Sequence, residues 1–119
     1  MFLIIDDSET DRLITRILLE ESYSNHEVVD VESANKGIEW LKNNIPEERM
    51  CILLDIKMPE LNGFEFLNLY EELPESVKQN TTIFMISSTL DPNDIQRAND
   101  HLHVRKLLEK PFDPASISI

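Results

Sequence analysis

The chain is short of most features that mark a fibrous, secreted or membrane-spanning protein. It has two glycines and six prolines in 119 residues, too few for a low-complexity linker or a disordered tail. Its one cysteine, Cys51, excludes an internal disulfide. Sitting in an apolar run, it reads as a small core hydrophobe in a reducing compartment. Basic residues are scarce: 11 Lys and Arg stand against 23 Asp and Glu, for a formal net charge of −12. That excess repels nucleic acid and anionic membranes, and it is unsuited to neutralising a phosphate backbone. It suits cation binding and docking on a basic partner surface. No apolar run approaches the length needed to cross a bilayer. The N-terminal MFLII has no basic flank and ends at two aspartates, so it does not read as a signal peptide. The expectation is a cytoplasmic protein with one domain over residues 1–119, long enough to bury a full core without staples.

What is present is a regular alternation of two periods. FLII (2–5), HEVVDVES (26–33), CILLDI (51–56), TTIFMISS (81–88) and VRKLLEK (104–110) read as strands, the second nearer a sheet edge because it is less apolar. Between them lie helical patterns. Leu13, Ile14, Ile17 and Leu18 are expected on one face of the first helix, with Ser8 or Thr10 as its cap. Ala34, Ile38, Leu41 and Ile45 follow Ser33 at helical spacing, and Phe64, Leu67 and Tyr70 recur until Pro74 stops the pattern. Asp91-Pro92 opens a fourth helix carrying Ile95, Ala98 and Leu102, and Asp113-Pro114 opens a fifth just before the chain stops. Each connection is long enough for a crossover helix, so the predicted fold is α/β, an open doubly wound parallel sheet of five strands.

In such sheets function sits beyond the carboxyl ends of the strands. The first strand ends in Asp6-Asp7, the third in Asp55, the fourth in Ser87-Ser88 and the fifth in Lys110-Pro111. If the first and third strands are neighbours, Asp6, Asp7 and Asp55 converge. Two carboxylates about 4 Å apart repel by roughly 4 kcal/mol at an effective dielectric near 20, so three ask for a cation. All-oxygen ligation points to magnesium or another hard divalent ion, and no His or Cys cluster suggests zinc. A carboxylate beside such an ion suits phosphoryl transfer, with Asp55 as nucleophile, Lys110 as a cation for the phosphoryl oxygens and Ser87 as a hydroxyl partner.

Asp6-Asp7, LLDIKMPELNG around Asp55, Ser87-Ser88 and EKPF ending at Phe112 together resemble the receiver domain of bacterial response regulators, over essentially the whole chain. The resemblance implies strand order 2-1-3-4-5 and an Asp55 phosphorylated by a histidine kinase or histidine phosphotransfer protein. It implies magnesium ligation by Asp7 and Asp55 directly, by Asp6 through water, and by the Lys57 backbone carbonyl. Ser87 matches the switch hydroxyl, with Ser88 beside it. Lys110 matches the family's lysine, and its bond to Pro111 is expected to be cis. The phosphoryl group would draw Ser87 and Lys110 inward and bias the face of the fourth helix and fifth strand toward a downstream protein partner. A homodimer through the fourth-helix to fifth-helix face is a further expectation.

Two departures from the family pattern stand out. The position where the family often carries a switch aromatic is Leu107, so aliphatic repacking, or coupling through Ser87 and the loop after it, must replace an aromatic flip. The chain also ends about one turn into the expected fifth helix, which is therefore short or truncated. Plainer readings exist for each residue alone: a capping pair for Asp6-Asp7, a turn residue for Asp55, small polar strand ends for Ser87 and Ser88, and a solvated lysine for Lys110. Two other functions remain open on the residues. One is a receiver-like interaction module that is not phosphorylated. The other is a small aspartyl-nucleophile phosphohydrolase, against which stands Lys57, at the place where such enzymes usually carry a second acid. Otherwise no enzymatic turnover is expected, beyond self-phosphorylation from small donors and self-dephosphorylation.

Overall fold

The computed structural model describes residues 1–88 and 91–117. Strands and helices alternate along it: β1 (Phe2–Ile5), α1 (Glu9–Ser22), β2 (Val28–Val31), α2 (Ala34–Asn43), β3 (Met50–Asp55), α3 (Gly63–Glu71), a single turn α4 (Glu75–Lys78), β4 (Thr81–Ser87), α5 (Pro92–Asp100), β5 (Val104–Glu109) and a 3-10 turn at Pro114–Ser116. All the strand pairs are parallel, in the order β2-β1-β3-β4-β5. This is the doubly wound α/β sheet that the alternation of periods predicts.

The most apolar run of the sequence is the central strand β3, buried along its whole length. A central strand of a parallel sheet meets helices on both faces, so it carries no polar alternation. Strand β2, at one edge, is only half-buried. Two clusters form the core, one on each face. Leu3, Ile5, Ile52, Leu54, Ile83 and Met85 pack with α2 and α3 residues on one side, and Phe2, Ile4, Cys51, Leu53, Phe84 and Ile86 pack on the other. Each fully buried side chain of this size contributes about 1.5–3 kcal/mol against exposure. Burial also pushes the Cys51 thiol up to about 12, so it serves as a core hydrophobe.

Helix starts follow the capping residues. The Ser8 hydroxyl accepts from Asp11 N–H, Ser33 from Lys36 N–H, and Asp91 caps α5 with Pro92 in its first turn. Asn62 and Glu65 form a reciprocal capping box at α3.

Several expectations are corrected. In α1 the buried residues are Thr15 and Leu19, while Leu13, Ile14 and Ile17 are 57%, 45% and 46% exposed. Of the expected face only Leu18 packs against the core, while the part-buried Arg12 and Arg16 reach Asp30 on β2 with their guanidinium groups. Leu102 lies beyond the end of α5 and is 87% exposed, and Ile45 lies beyond α2 and is 52% exposed. The turn α4 is an addition to the predicted elements. It makes α5 the fourth predicted helix. Where a short or truncated fifth helix is expected, the described residues form the 3-10 turn, tied down by the Tyr23 hydroxyl against the carbonyls of Pro114 (3.0 Å) and Ile117 (2.9 Å). The loop expected to relay a switch after Ser87 includes Thr89 and Leu90, which lie outside the described residues.

Candidate functional site

Register places the acids. Ile5 is paired with Leu54 across β1 and β3, so the next residues, Asp6 and Asp55, emerge side by side at the carboxyl edge of the sheet. Asp55 is paired with Ile86 on β4, and Ser87 with Glu109 on β5, which brings Ser87 and Lys110 to the same edge. The Lys110 N–H donates to the Ser87 carbonyl at 2.9 Å. Carboxylate oxygens of Asp6, Asp7 and Asp55 all lie within 4.8 Å of one another. Asp6 and Asp55 are buried, whereas Asp7 is exposed.

Lys110 is the cation of this cluster. Its Nζ stands 2.8 Å from Asp6 Oδ2, 2.9 Å from Asp11 Oδ2 and 3.3 Å from Asp55 Oδ1. The other Asp6 oxygen, Oδ1, accepts from the Ser8 N–H at 3.0 Å, and the Asp6 carbonyl accepts from Arg12 Nη1 at 2.9 Å. Burial lowers the affinity of Lys110 for its proton, but hydrogen bonds to Asp6 and Asp11 and the charges of Asp55 and Asp6 outweigh that and raise it above the usual lysine range. For Asp55 the balance goes the other way. Burial first, then the Asp6 charge, push its carboxyl up to about 7, against the lowering effect of Lys110. Added positive charge would favour the ionised form of this carboxyl, and a hard divalent cation is one source that would supply it. The donor set fits magnesium: all oxygen, clustered, and open to solvent on the Asp7 side.

The turn after β3 holds that strand against α3. Glu60 has φ 67, a left-handed conformation that reverses the chain. Gly63 then brings α3 so close that a Cβ there would stand 2.6 Å from the Asp55 carbonyl oxygen and 2.7 Å from Met85 Cε. Its N–H donates to the Ile56 carbonyl at 2.8 Å.

Of the remaining predicted site residues, Ser87 is 3% exposed. Ser88 is exposed and lines a cavity of about 260 Å³ with Asp11, Ile14 and Lys110. Lys57 is exposed. The Lys110–Pro111 peptide bond is cis. Leu107 is half-buried against the first core cluster, and its N–H donates to Asn99 Oδ1 on α5 at 3.4 Å. Sequence reasoning missed Asp11, which contacts Lys110 directly. The signal was available: Asp11 stands in the first turn of α1, directly after the strand end that carries Asp6 and Asp7. It also missed the hydrogen bond between Glu71 and the His103 ring, away from this site.

A family model described as the response regulator receiver domain matches residues 2–118. The solved structure of a response regulator receiver protein from Dyadobacter fermentans is 38% identical and superposes with a TM-score of 0.88, covering 97% of this chain and 89% of that one. The two-component response regulator ORR6 of Oryza sativa subsp. japonica is 30% identical over 116 residues, 98% of this chain and 65% of that protein. The sensory/regulatory protein RpfC of Xanthomonas campestris is 27% identical over 115 residues, 97% of this chain but 15% of its own length. The chain thus spans less than two thirds of either of these curated relatives.

Proposed function

The chain belongs to the response regulator receiver family of two-component signalling proteins, and from that premise we propose that Asp55 is its phospho-acceptor, loaded by a histidine kinase or a histidine phosphotransfer protein. One observation carries this reading. Asp6, Asp7, Asp55 and Lys110, drawn from three strand ends, surround a single small volume.

Asp55 Oδ would attack phosphorus, forming a P–O bond as the donor's bond to phosphorus breaks and its leaving group departs with the electron pair. The rigid β3 holds the attacking oxygen in place, which lowers the entropy cost of in-line attack. Lys110 would meet the charge on the phosphoryl oxygens, and Ser87 would offer its hydroxyl to one of them. A magnesium ion, when bound, supplies the charge neutralisation that brings a phosphodonor to an acidic pocket. Its ligands would be Asp6, Asp7, Asp55 and the Lys57 carbonyl.

The exposed Ile14 of α1, with Leu18 one turn on, lines the cavity that Lys110 and Ser88 share. That apolar surface supports docking of the phosphodonor protein there. The signal would leave through α5 and β5, where Leu107 links the strand to Asn99, either to a downstream protein or to a second copy of the chain. Among the described residues no helix is long and apolar enough to cross a membrane, and we place the domain in the cytoplasm.

The test is intact-mass analysis after treatment with acetyl phosphate, with and without magnesium. One added phosphoryl group, dependent on magnesium and lost in Asp55→Asn, is the expected result. Equal labelling of Asp55→Asn would move the acceptor elsewhere. No labelling of the wild type by acetyl phosphate or by any phosphotransfer protein would favour a receiver-like interaction module.

A further inference from the structure

We propose that Asp11 is a positioning residue for Lys110: it holds the ammonium toward α1 and so limits how much of that charge reaches the acceptor. The inference rests on the phospho-acceptor reading of Asp55.

An ammonium has three N–H donors. Here three carboxylates surround them, and the contact to Asp55, at 3.3 Å, is the longest. The two shorter contacts, to Asp6 at 2.8 Å and Asp11 at 2.9 Å, both pull toward the β1–α1 side. Asp6 and Asp55 have side chains 0% and 9% exposed, so each depends on a protein or metal partner for its charge. Asp11 is different. Its side chain is 38% exposed, and water can satisfy it without Lys110. Its backbone is fixed independently, because its N–H is bonded to the Ser8 hydroxyl at the start of α1. The contact therefore matters less for Asp11 than for the lysine it restrains.

During uptake from acetyl phosphate, Asp55 Oδ bonds to phosphorus, the bond from phosphorus to the acetate oxygen breaks, and acetate leaves with that pair. Negative charge on the phosphoryl oxygens must then be met at the acceptor. A Lys110 donor held by Asp11 is not available for it. Asp11→Asn keeps the side-chain shape and a carbonyl acceptor but removes the competing charge. Asp6 and Asp55 are then the only carboxylates that draw on the Lys110 charge, and uptake quickens. Asp11→Glu restores the charge and brings the rate back toward that of the wild type.

The experiment measures initial labelling rates from acetyl phosphate in excess magnesium for the wild type, Asp11→Asn, Asp11→Glu, Lys110→Gln and the Asp11→Asn/Lys110→Gln pair, with thermal melts of each. Asp11→Asn is expected to label about two- to fivefold faster, the range a half-exposed ion pair supports, and the gain is expected to vanish when Lys110 is already Gln. A gain that persists in the double variant would mean a general field effect on the anionic donor and would overturn the proposal, as would no gain at all in Asp11→Asn. If Lys110→Gln does not fold or does not label, a crystal structure of Asp11→Asn decides. Lys110 Nζ drawn to roughly 3 Å or less from Asp55 supports the proposal, and an unmoved Nζ overturns it. Wild-type protein that labels while the Asp11 variants match it defeats this inference alone. Wild-type protein that fails to label at all defeats the acceptor reading beneath it.

Discussion

Lys110 reaches across β4 to stand 3.3 Å from Asp55, so a residue that follows the edge strand completes a site built on the central one. This reach explains how three separate strand ends act as one electrostatic unit. Three acids crowd together, Lys110 offsets part of their charge, and the remainder favours a divalent cation.

Removing that lysine is expected to be costly. Asp6 is fully buried, and in Lys110→Gln its Oδ2 loses the ammonium. Breaking a buried pair in this way costs about 3–5 kcal/mol. Urea denaturation in chelator should show a loss of that order, narrowed by millimolar magnesium. A loss below about 1 kcal/mol would mean that Lys110 does not neutralise the cluster.

The raised Asp55 carboxyl gives stability a pH signature. Its pKa is about 7 in the folded chain against about 3.9 when unfolded. The folded state therefore binds more protons than the unfolded state between those values, and stability falls as pH rises through that window. Asp55→Asn removes the penalty. In the absence of magnesium it should be more stable than the wild type by about 1–3 kcal/mol at pH 8. The gap should close as pH falls toward 4. A constant difference across that range would refute the assignment.

Magnesium should stabilise the fold through the same acids. At ten times its dissociation constant, a ligand specific to the folded state adds about 1.4 kcal/mol. Thermal melts with and without magnesium should show this in the wild type and much less in Asp7→Asn, where an exposed ligand is lost. Calcium chelation alone should change nothing. Equal magnesium shifts in the wild type and Asp7→Asn would place the ion elsewhere.

Gly63 is expected to tolerate no side chain. In Gly63→Ala the new methyl would meet the Asp55 carbonyl oxygen at 2.6 Å, and backbone cannot give way as a flexible side-chain end can. Overpacking of this kind costs about 1–3 kcal/mol. Because the displaced group belongs to Asp55, labelling should slow as well. Chemical denaturation and labelling of the same variant check both. Unchanged stability would show that α3 can move off the strand end.

Tyr23→Phe tests the tie between α1 and the 3-10 turn. The hydroxyl joins the end of α1 to the carbonyls of Pro114 and Ile117, while the ring stays packed on Phe2. Losing a net hydrogen bond costs about 0.5–1.5 kcal/mol. Hydrogen exchange should rise at residues 115–117 and not in β1. Faster exchange throughout the chain would mean that the tie supports the whole fold.

Much of this architecture was legible in the linear pattern because the relevant physics is local. The unbroken apolar run of β3 reports burial on both faces, and the serine and aspartate caps report where helices begin. The parallel arrangement follows from connection length. Two features misled. The apolar stripe Leu13, Ile14 and Ile17 has a helical period, yet it faces outward, because Thr15 and Leu19 form the inner side of α1 and Arg12 and Arg16 tie the helix to Asp30 on another strand. Leu102 continues the spacing of Ile95 and Ala98 only on paper, since the helix stops at Asp100. In each case a contact distant in sequence or a helix end overrides the period.

The amino-acid order by itself determined which residues end each strand, and so which acids, hydroxyls and lysine could ever share a site. Only the folded arrangement decided that Asp6 and Asp55 stand side by side, that Lys110 divides itself among three carboxylates, and that Asp11 is one of them. Strand neighbours are chosen by the packing of the whole sheet, and a charge a few ångströms away has no trace in a sequence unless its distance along the chain happens to be small.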